Sequence, residues 1–198
     1  MTLIPQDPFL ISGTVRSNVD PFKIFSDQQI IKTLKETSVY EILQSTIERS
    51  RKSVKPDPAT LKGKKAPKVE KPLTMDEQIL EFKIEESGSN LSQGQRQLIC
   101  ISRALINRPK ILLMDEATAN IDTRTDELIQ RLIREKFNNS TVMTIAHRLN
   151  TIIDYDFILF LKDGKIAEQG HPYELMMKEG ESDNFFKDLV MEGGQEFF

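Results

Sequence analysis

Leu91-Ser92-Gln93-Gly94-Gln95-Arg96-Gln97, followed by Ile111-Leu112-Leu113-Met114-Asp115-Glu116, decides how this chain is read. Ser92 sits where a helix N-cap belongs, and Gln95, three residues on, completes the capping-box spacing. Gly94 has no side chain, so a phosphate oxygen could approach its backbone N–H, where the helix N-terminus adds a fixed partial positive charge. A plain structural cap explains Ser92 and Gln95 equally well. The second run is an apolar strand ending in two carboxylates. At the C-terminal edge of a parallel sheet, such groups border the crevice where ligands bind. Asp115 suits a Mg²⁺-bound water, because Mg²⁺ keeps several waters and takes few direct carboxylates. Glu116 can hydrogen-bond a water aligned for attack. A strand that merely ends in solvated acids is the alternative.

Working outward, the pattern from residue 91 is regular. A helix is predicted over about 92–107, a strand over 111–114, and a second helix over about 123–137 with Leu128, Ile129, Leu132 and Ile133 at helical spacing. A strand follows at Thr141–Ile145. Phe157–Leu161 and Ile166–Glu168 flank Asp163-Gly164, a two-stranded turn signal. Phe185, Phe186, Leu189 and Val190 mark a last amphipathic helix. Strands alternating with helices imply an α/β fold with a mostly parallel sheet flanked by helices. Upstream, Thr2–Ile4 reads as a short strand cut off by Pro5, Asp7–Asn18 as a turn-rich stretch, and Ser26–Gln44 as one or two helices.

Arg49–Lys71 differs from its surroundings. Arg49, Arg51, Lys52, Lys55, Lys62, Lys64, Lys65, Lys68 and Lys71 far outnumber Asp57 and Glu70, and Pro56, Pro58, Pro67 and Pro72 interrupt the run. Large apolar residues are almost absent, so the stretch buries too little surface to offset ordering entropy and is read as a disordered basic insertion. A basic segment can also bind acidic lipid or a phosphorylated partner.

The whole chain has 198 residues, a net charge of −3 and 29% charged residues, which makes no global case for nucleic acid. Its one cysteine, Cys100, excludes an internal disulfide and a cysteine metal cluster. No apolar run approaches the about 18 residues that span a bilayer. The N-terminus lacks the basic and apolar regions of a signal peptide.

Other residues join the same sheet edge. Gln6 and Asp7 follow the truncated first strand. Asp122 could cap the helix that begins at Thr123. His147 follows the strand Thr141–Ile145 and could donate to a phosphate oxygen, although a lone histidine is more often structural. In combination and order, these features resemble the ATP-binding-cassette (ABC) transporter ATPase domain. Ile4-Pro5-Gln6-Asp7-Pro8-Phe9 resembles its Q-loop and Leu91-Ser92-Gln93-Gly94-Gln95 its signature. Ile111–Asp115 resembles Walker B with Glu116 as catalytic glutamate, Ala119-Asn120-Ile121-Asp122 the D-loop, and Ile145-Ala146-His147-Arg148 the switch-histidine region. Gly13–Phe22 further resembles exporters of subfamily C, the multidrug-resistance-associated type, and their C-terminal ATPase domain in particular. Gln93 stands where the signature has a small residue, a position the family varies.

The resemblance implies ATP and Mg²⁺ as cofactors. It makes Glu116 and His147 catalytic, Asp115 and Gln6 metal-binding, and Gln6, Ser92, Gln93, Gly94, Gln95 and Asp122 nucleotide-facing. It divides the chain into a Q-loop region (1–22), a helical subdomain (23–90, insertion 49–75) and a remainder (91–198). It implies as partners a second ABC ATPase domain, whose nucleotide the signature caps, and the transmembrane domains of an exporter, with no nucleic acid. The place of action is then the cytoplasmic face of a membrane. Chromosome-maintenance ATPases share a similar signature, but nothing here has their sustained heptads.

The family's phosphate cradle, G-x-x-x-x-G-K-[ST], does not occur in these residues. Gly63-Lys64 and Gly164-Lys165 are the only Gly-Lys pairs, and neither is followed by Ser or Thr. The cradle and the adenine-stacking aromatic are expected upstream of Met1, making this a partial P-loop NTPase domain. Hydrogen bonds to charged groups contribute about 1.5–3 kcal/mol each, so losing three weakens a roughly μM site past mM. The chain is expected to be incompetent alone. A non-catalytic module that docks on a complete ABC ATPase domain, supplying or blocking its signature, is the alternative.

Overall fold

The structure is a computed structural model that describes residues 1–53, 72–115, 121–146, 152–178 and 184–193. The basic stretch from 54 to 71, Glu116, Ala119, Asn120, His147 and Arg148 lie outside the described residues. The chain divides into two compact units, Met1–Thr144 and Ile145–Phe198.

In the first unit, strand β1 (Thr2–Ile4) runs parallel to β4 (Ile111–Asp115), with Thr2 opposite Leu112 and Ile4 opposite Met114. Strand β5 (Thr141–Ile145) lies on the other side of β4. Side chains alternate across a strand, so Ile4, Leu112 and Met114 fall on one face, and all three are buried. Helix α5 (Gln93–Ile106) packs against β1. It is buried on most of its circumference, with Leu98, Ile99, Ile101 and Ala104 at most 1% exposed, as a helix at the centre of a domain should be.

Around α5 gather α1 (Val15–Val19), α2 (Asp27–Glu36) and α3 (Val39–Ser53), and α4 (Met75–Leu80) packs on those three. Their Val15, Val19, Ile30, Leu34, Leu43 and Ile79 share one core with the sheet. Inside it, the Thr37 and Ser102 hydroxyls meet at 2.7 Å, which satisfies both. Helix α6 (Thr123–Lys136) adds Ile129, Leu132 and Ile133, the stripe expected from its spacing. A two-residue antiparallel pair, β2 (Gly13–Thr14) with β3 (Lys83–Ile84), anchors the helical part.

Two local readings change. The stretch Asp7–Asn18, read as turn-rich, ends inside α1, which a Thr14/Ser17 capping box starts. Helix α3 continues through Ser53, five residues into the stretch read as a disordered insertion from Arg49. Lysine and arginine are good helix formers and need no burial to extend an existing helix. The Arg51 guanidinium also donates to Gln78 Oε1 on α4. On the far side of the insertion, α4 starts with a Thr74/Glu77 capping box, so Met75 is helical too.

The second unit is a hairpin, β6 (Ile158–Lys162) and β7 (Lys165–Gly170), followed by α7 (Pro172–Met177) and α8 (Phe185–Gly193). Asp163 (φ 51) and Gly164 (φ 73) both take positive φ, as the type I′ turn requires. Ile158, Leu175 and Phe186 form a small core. The Glu168 carboxylate, 5% exposed, accepts from the Phe186 amide at 2.8 Å and lies 3.6 Å from Lys178 Nζ. No helix among the described residues is long and apolar enough to cross a membrane.

Candidate functional site

The parallel register places two of the candidate residues at one sheet edge. Ile4 is opposite Met114, so Gln6, two residues past Ile4, and Asp115, one past Met114, emerge from the same ends of neighbouring strands. Both are exposed. The second turn of α5 reaches that end as well, because Gln97 Nε2 donates to Pro5 O at 3.3 Å. Sequence order alone did not bring the 91–97 run next to Gln6; the packing of α5 on β1 does.

At the start of α5 the capping box is complete. Ser92 Oγ accepts from the Gln95 amide at 3.2 Å and Gln95 Oε1 accepts from the Ser92 amide at 3.0 Å. Gln93 follows in the first turn, half-buried. Gly94 is buried, and a Cβ built there would stand 2.6 Å from Thr125 Cγ2 and 3.4 Å from Ile121 Cγ2. The absent side chain therefore lets the start of α6 approach, a packing role beside any ligand role. Asp122 is the N-cap of α6, with Oδ1 accepting from the Thr125 amide at 3.0 Å. That amide, and then the Thr125 hydroxyl, hold its carboxyl below the usual value.

The loop between β1 and β2 is shaped by side chains that the sequence did not single out. Arg103 donates through Nε to Asn18 O at 2.7 Å and through Nη1 to Phe9 O at 3.2 Å. Asn18, 1% exposed, bonds both main-chain groups of Ile11 and the Thr14 carbonyl. Cys100 Sγ sits 3.8 Å from Phe9 O, and burial pushes its thiol pKa up despite the opposing pull of Arg103. A polar residue within an apolar helix is the signal that could have flagged Gln97 and Arg103.

The donor set fits Mg²⁺. Among the described residues no three His, Cys, Asp or Glu side chains converge as a metal cage. One carboxylate, Asp115, and one amide, Gln6, are what an ion that keeps most of its waters and takes nucleotide oxygens needs. Glu116 and His147 lie outside the described residues, so the structure does not bring them to this edge or away from it.

Known proteins agree with this architecture. The family model described as ABC transporter matches residues 1–119. "ABC transporter 7" of Pyricularia oryzae is 45% identical over 99% of this chain, and "ATP-binding cassette sub-family C member 4" of Homo sapiens is 40% identical over 98%. The chain spans 11% and 12% of those relatives' lengths. Among solved structures, a bacterial Atm1-family ABC exporter with ATP bound superposes with a TM-score of 0.70 at 28% identity, over 96% of this chain and 27% of that one. The parallel β1–β4 pair, the capped α5 beside the loop after β1 and these likenesses converge: the chain belongs to the ABC transporter family and carries an ABC ATPase domain sequence of the C type.

Proposed function

We propose that this chain forms the C-terminal portion of the ATPase domain of an ABC exporter and is not competent for ATP hydrolysis alone. The observation that carries the reading is the shared edge: Gln6 and Asp115 follow parallel β1 and β4 at their C-terminal ends, and Gln97 of α5 bonds the Pro5 carbonyl there. ATP with Mg²⁺ supplies the phosphoanhydride to be cleaved and neutralises its developing charge. Asp115 and Gln6 would hold the Mg²⁺, Glu116 would orient the attacking water, and His147 would donate to the terminal phosphate. Ser92, Gln93, Gly94 and Gln95 present the α5 N-terminus to the nucleotide of a second ATPase domain, with Asp122 fixing the neighbouring helix. The partners are that domain and the exporter's transmembrane domains, at the cytoplasmic face of a membrane.

The 198 residues contain no G-x-x-x-x-G-K-[ST], so the nucleotide at this edge depends on phosphate donors from elsewhere. The deciding experiment compares ATP hydrolysis by the purified chain with its Glu116→Gln variant. No difference is expected. Clear Glu116-dependent turnover by the monomer would refute incompetence. The binding-module reading is separated by adding a complete ABC ATPase domain with MgATP and measuring its turnover. Stimulation or inhibition that vanishes with Gly94→Asp would favour the module.

A further inference from the structure

Polar side chains interrupt the apolar surface of α5 at Gln97, Cys100 and Arg103, a spacing that keeps them near one helix face. All of them reach main-chain carbonyls of the segment after β1. Gln97 bonds the Pro5 carbonyl at 3.3 Å, and Arg103 bonds those of Phe9 at 3.2 Å and Asn18 at 2.7 Å. Cys100 Sγ lies 3.8 Å from Phe9 O. Asn18 closes the far side, holding the Ile11 amide at 2.9 Å and the Ile11 carbonyl at 2.8 Å. Loop carbonyls must find donors, and here α5 and Asn18 supply them.

Gln97 gives a reason to see more than packing. It is fully buried, and its Oε1 has no hydrogen-bond partner. An orphaned buried acceptor is destabilising, and an apolar residue would avoid it. What an apolar residue could not do is grip Pro5, the residue directly before Gln6.

We infer that Gln97 and Arg103 are positioning residues that make the Gln6 loop and the Ser92–Gln95 end of α5 move as one body. The α-helical ladder between Ser92 and Arg103 is stiff and carries a displacement over about 17 Å. The inference rests on the functional reading above for its meaning. In that reading Gln6 serves this chain's own nucleotide edge and Ser92–Gln95 the partner domain's nucleotide. The clamp then links one half-site to the other. Neither residue is catalytic, since each acts through a loop carbonyl.

The test is amide hydrogen exchange on the full chain. Gly94→Ala puts a Cβ 2.6 Å from Thr125 Cγ2, so the starts of α5 and α6 must part. In the parent chain this substitution should speed exchange of the amides between Gln6 and Ile11 by about ten-fold. In a Gln97→Met/Arg103→Met background, which keeps side-chain length without donors, it should change them by less than about two-fold. Equal effects in both backgrounds overturn the inference. If that background unfolds at markedly lower urea than the parent, Gln97→Met/Arg103→Lys replaces it, because lysine keeps the charge but not the fork that spans two carbonyls. The same loss of coupling is expected there, and full coupling overturns the clamp.

A second arm adds a complete subfamily C ATPase domain with MgATP. Protection at the start of α5 should extend to the Gln6 loop in the parent and stop at α5 in the clamp variant. Loop protection that survives in the variant overturns the inference. Absence of protection at α5 in the parent tells against the functional reading instead, and the first arm still decides the clamp.

Discussion

Gly94, in the first turn of α5, lies so close to Thr125, in the first turn of α6, that a Cβ on the glycine would stand 2.6 Å from the threonine's Cγ2. Real Cβ contacts do not come that near, so something must move. Glycine to alanine inside a helix ordinarily gains about 1 kcal/mol of propensity. Here overpacking should win, and Gly94→Ala should lower stability by about 1–3 kcal/mol in urea denaturation. Thr125→Ser removes the offending methyl and should restore the midpoint in the double variant. A Gly94→Ala chain at or above parental stability would sink the contact as the reason for this glycine.

That contact shows where sequence reading stops. The capping box at Ser92 and Gln95, the α6 stripe of Ile129, Leu132 and Ile133, and the Asp163-Gly164 turn were legible because each is a local pattern with a local cause. Gly94 was legible only as a position where something approaches; that α6 approaches it is a tertiary fact. Helix α1 escaped because Val15–Val19 is too short to show a period, and its Thr14/Ser17 box sits among turn residues. Asn18 looked like one more turn residue, whereas its side chain holds the loop. The edge shared by Gln6 and Asp115 followed from the strand pattern once β1 and β4 paired in parallel.

Asn18 should prove one of the most sensitive polar positions in the first unit. Its side chain is buried and bonds Ile11 N, Ile11 O and Thr14 O at 2.9, 2.8 and 3.1 Å. Asn18→Leu keeps the volume but strands those main-chain groups, at a cost of about 3 kcal/mol or more. Equilibrium unfolding checks the magnitude. Fast exchange confined to the amides around Ile11 checks the cause. A loss below about 0.5 kcal/mol would mean that water replaces the amide without difficulty.

The second face of the three-stranded sheet carries Leu3, Met143 and Ile145, which are 60%, 55% and 63% exposed. Parallel strands are normally covered on both faces, and an apolar face of this kind drives association. The isolated chain is therefore expected to bind a hydrophobic dye, self-associate at micromolar concentration and melt over a broad range. Met143→Glu with Ile145→Lys should suppress association, measured by sedimentation, without lowering the urea midpoint. A monodisperse parent with a sharp, cooperative transition would count against the exposure.

Cys100 offers a pH test with a definite sign. It is the chain's single cysteine, 5% exposed, and its thiol pKa is raised, chiefly by burial and in spite of Arg103 and Arg96. In the unfolded chain the thiol ionises near its ordinary value of about 8.5, while the folded chain still holds the proton. The folded state then binds more protons than the unfolded one, so stability falls as pH rises. The contribution is whole below that ordinary value, declines above it, and levels off beyond the raised folded value. Subtracting the pH profile of Cys100→Ala from that of the parent isolates the thiol. The difference should be flat to about pH 8 and turn against the parent above it. In the same range, labelling by a disulfide reagent should be limited by opening of the fold, so that it accelerates with urea in step with unfolding. Rapid labelling of the native chain at neutral pH, or a difference profile that rises with pH, would contradict a buried thiol held against Phe9.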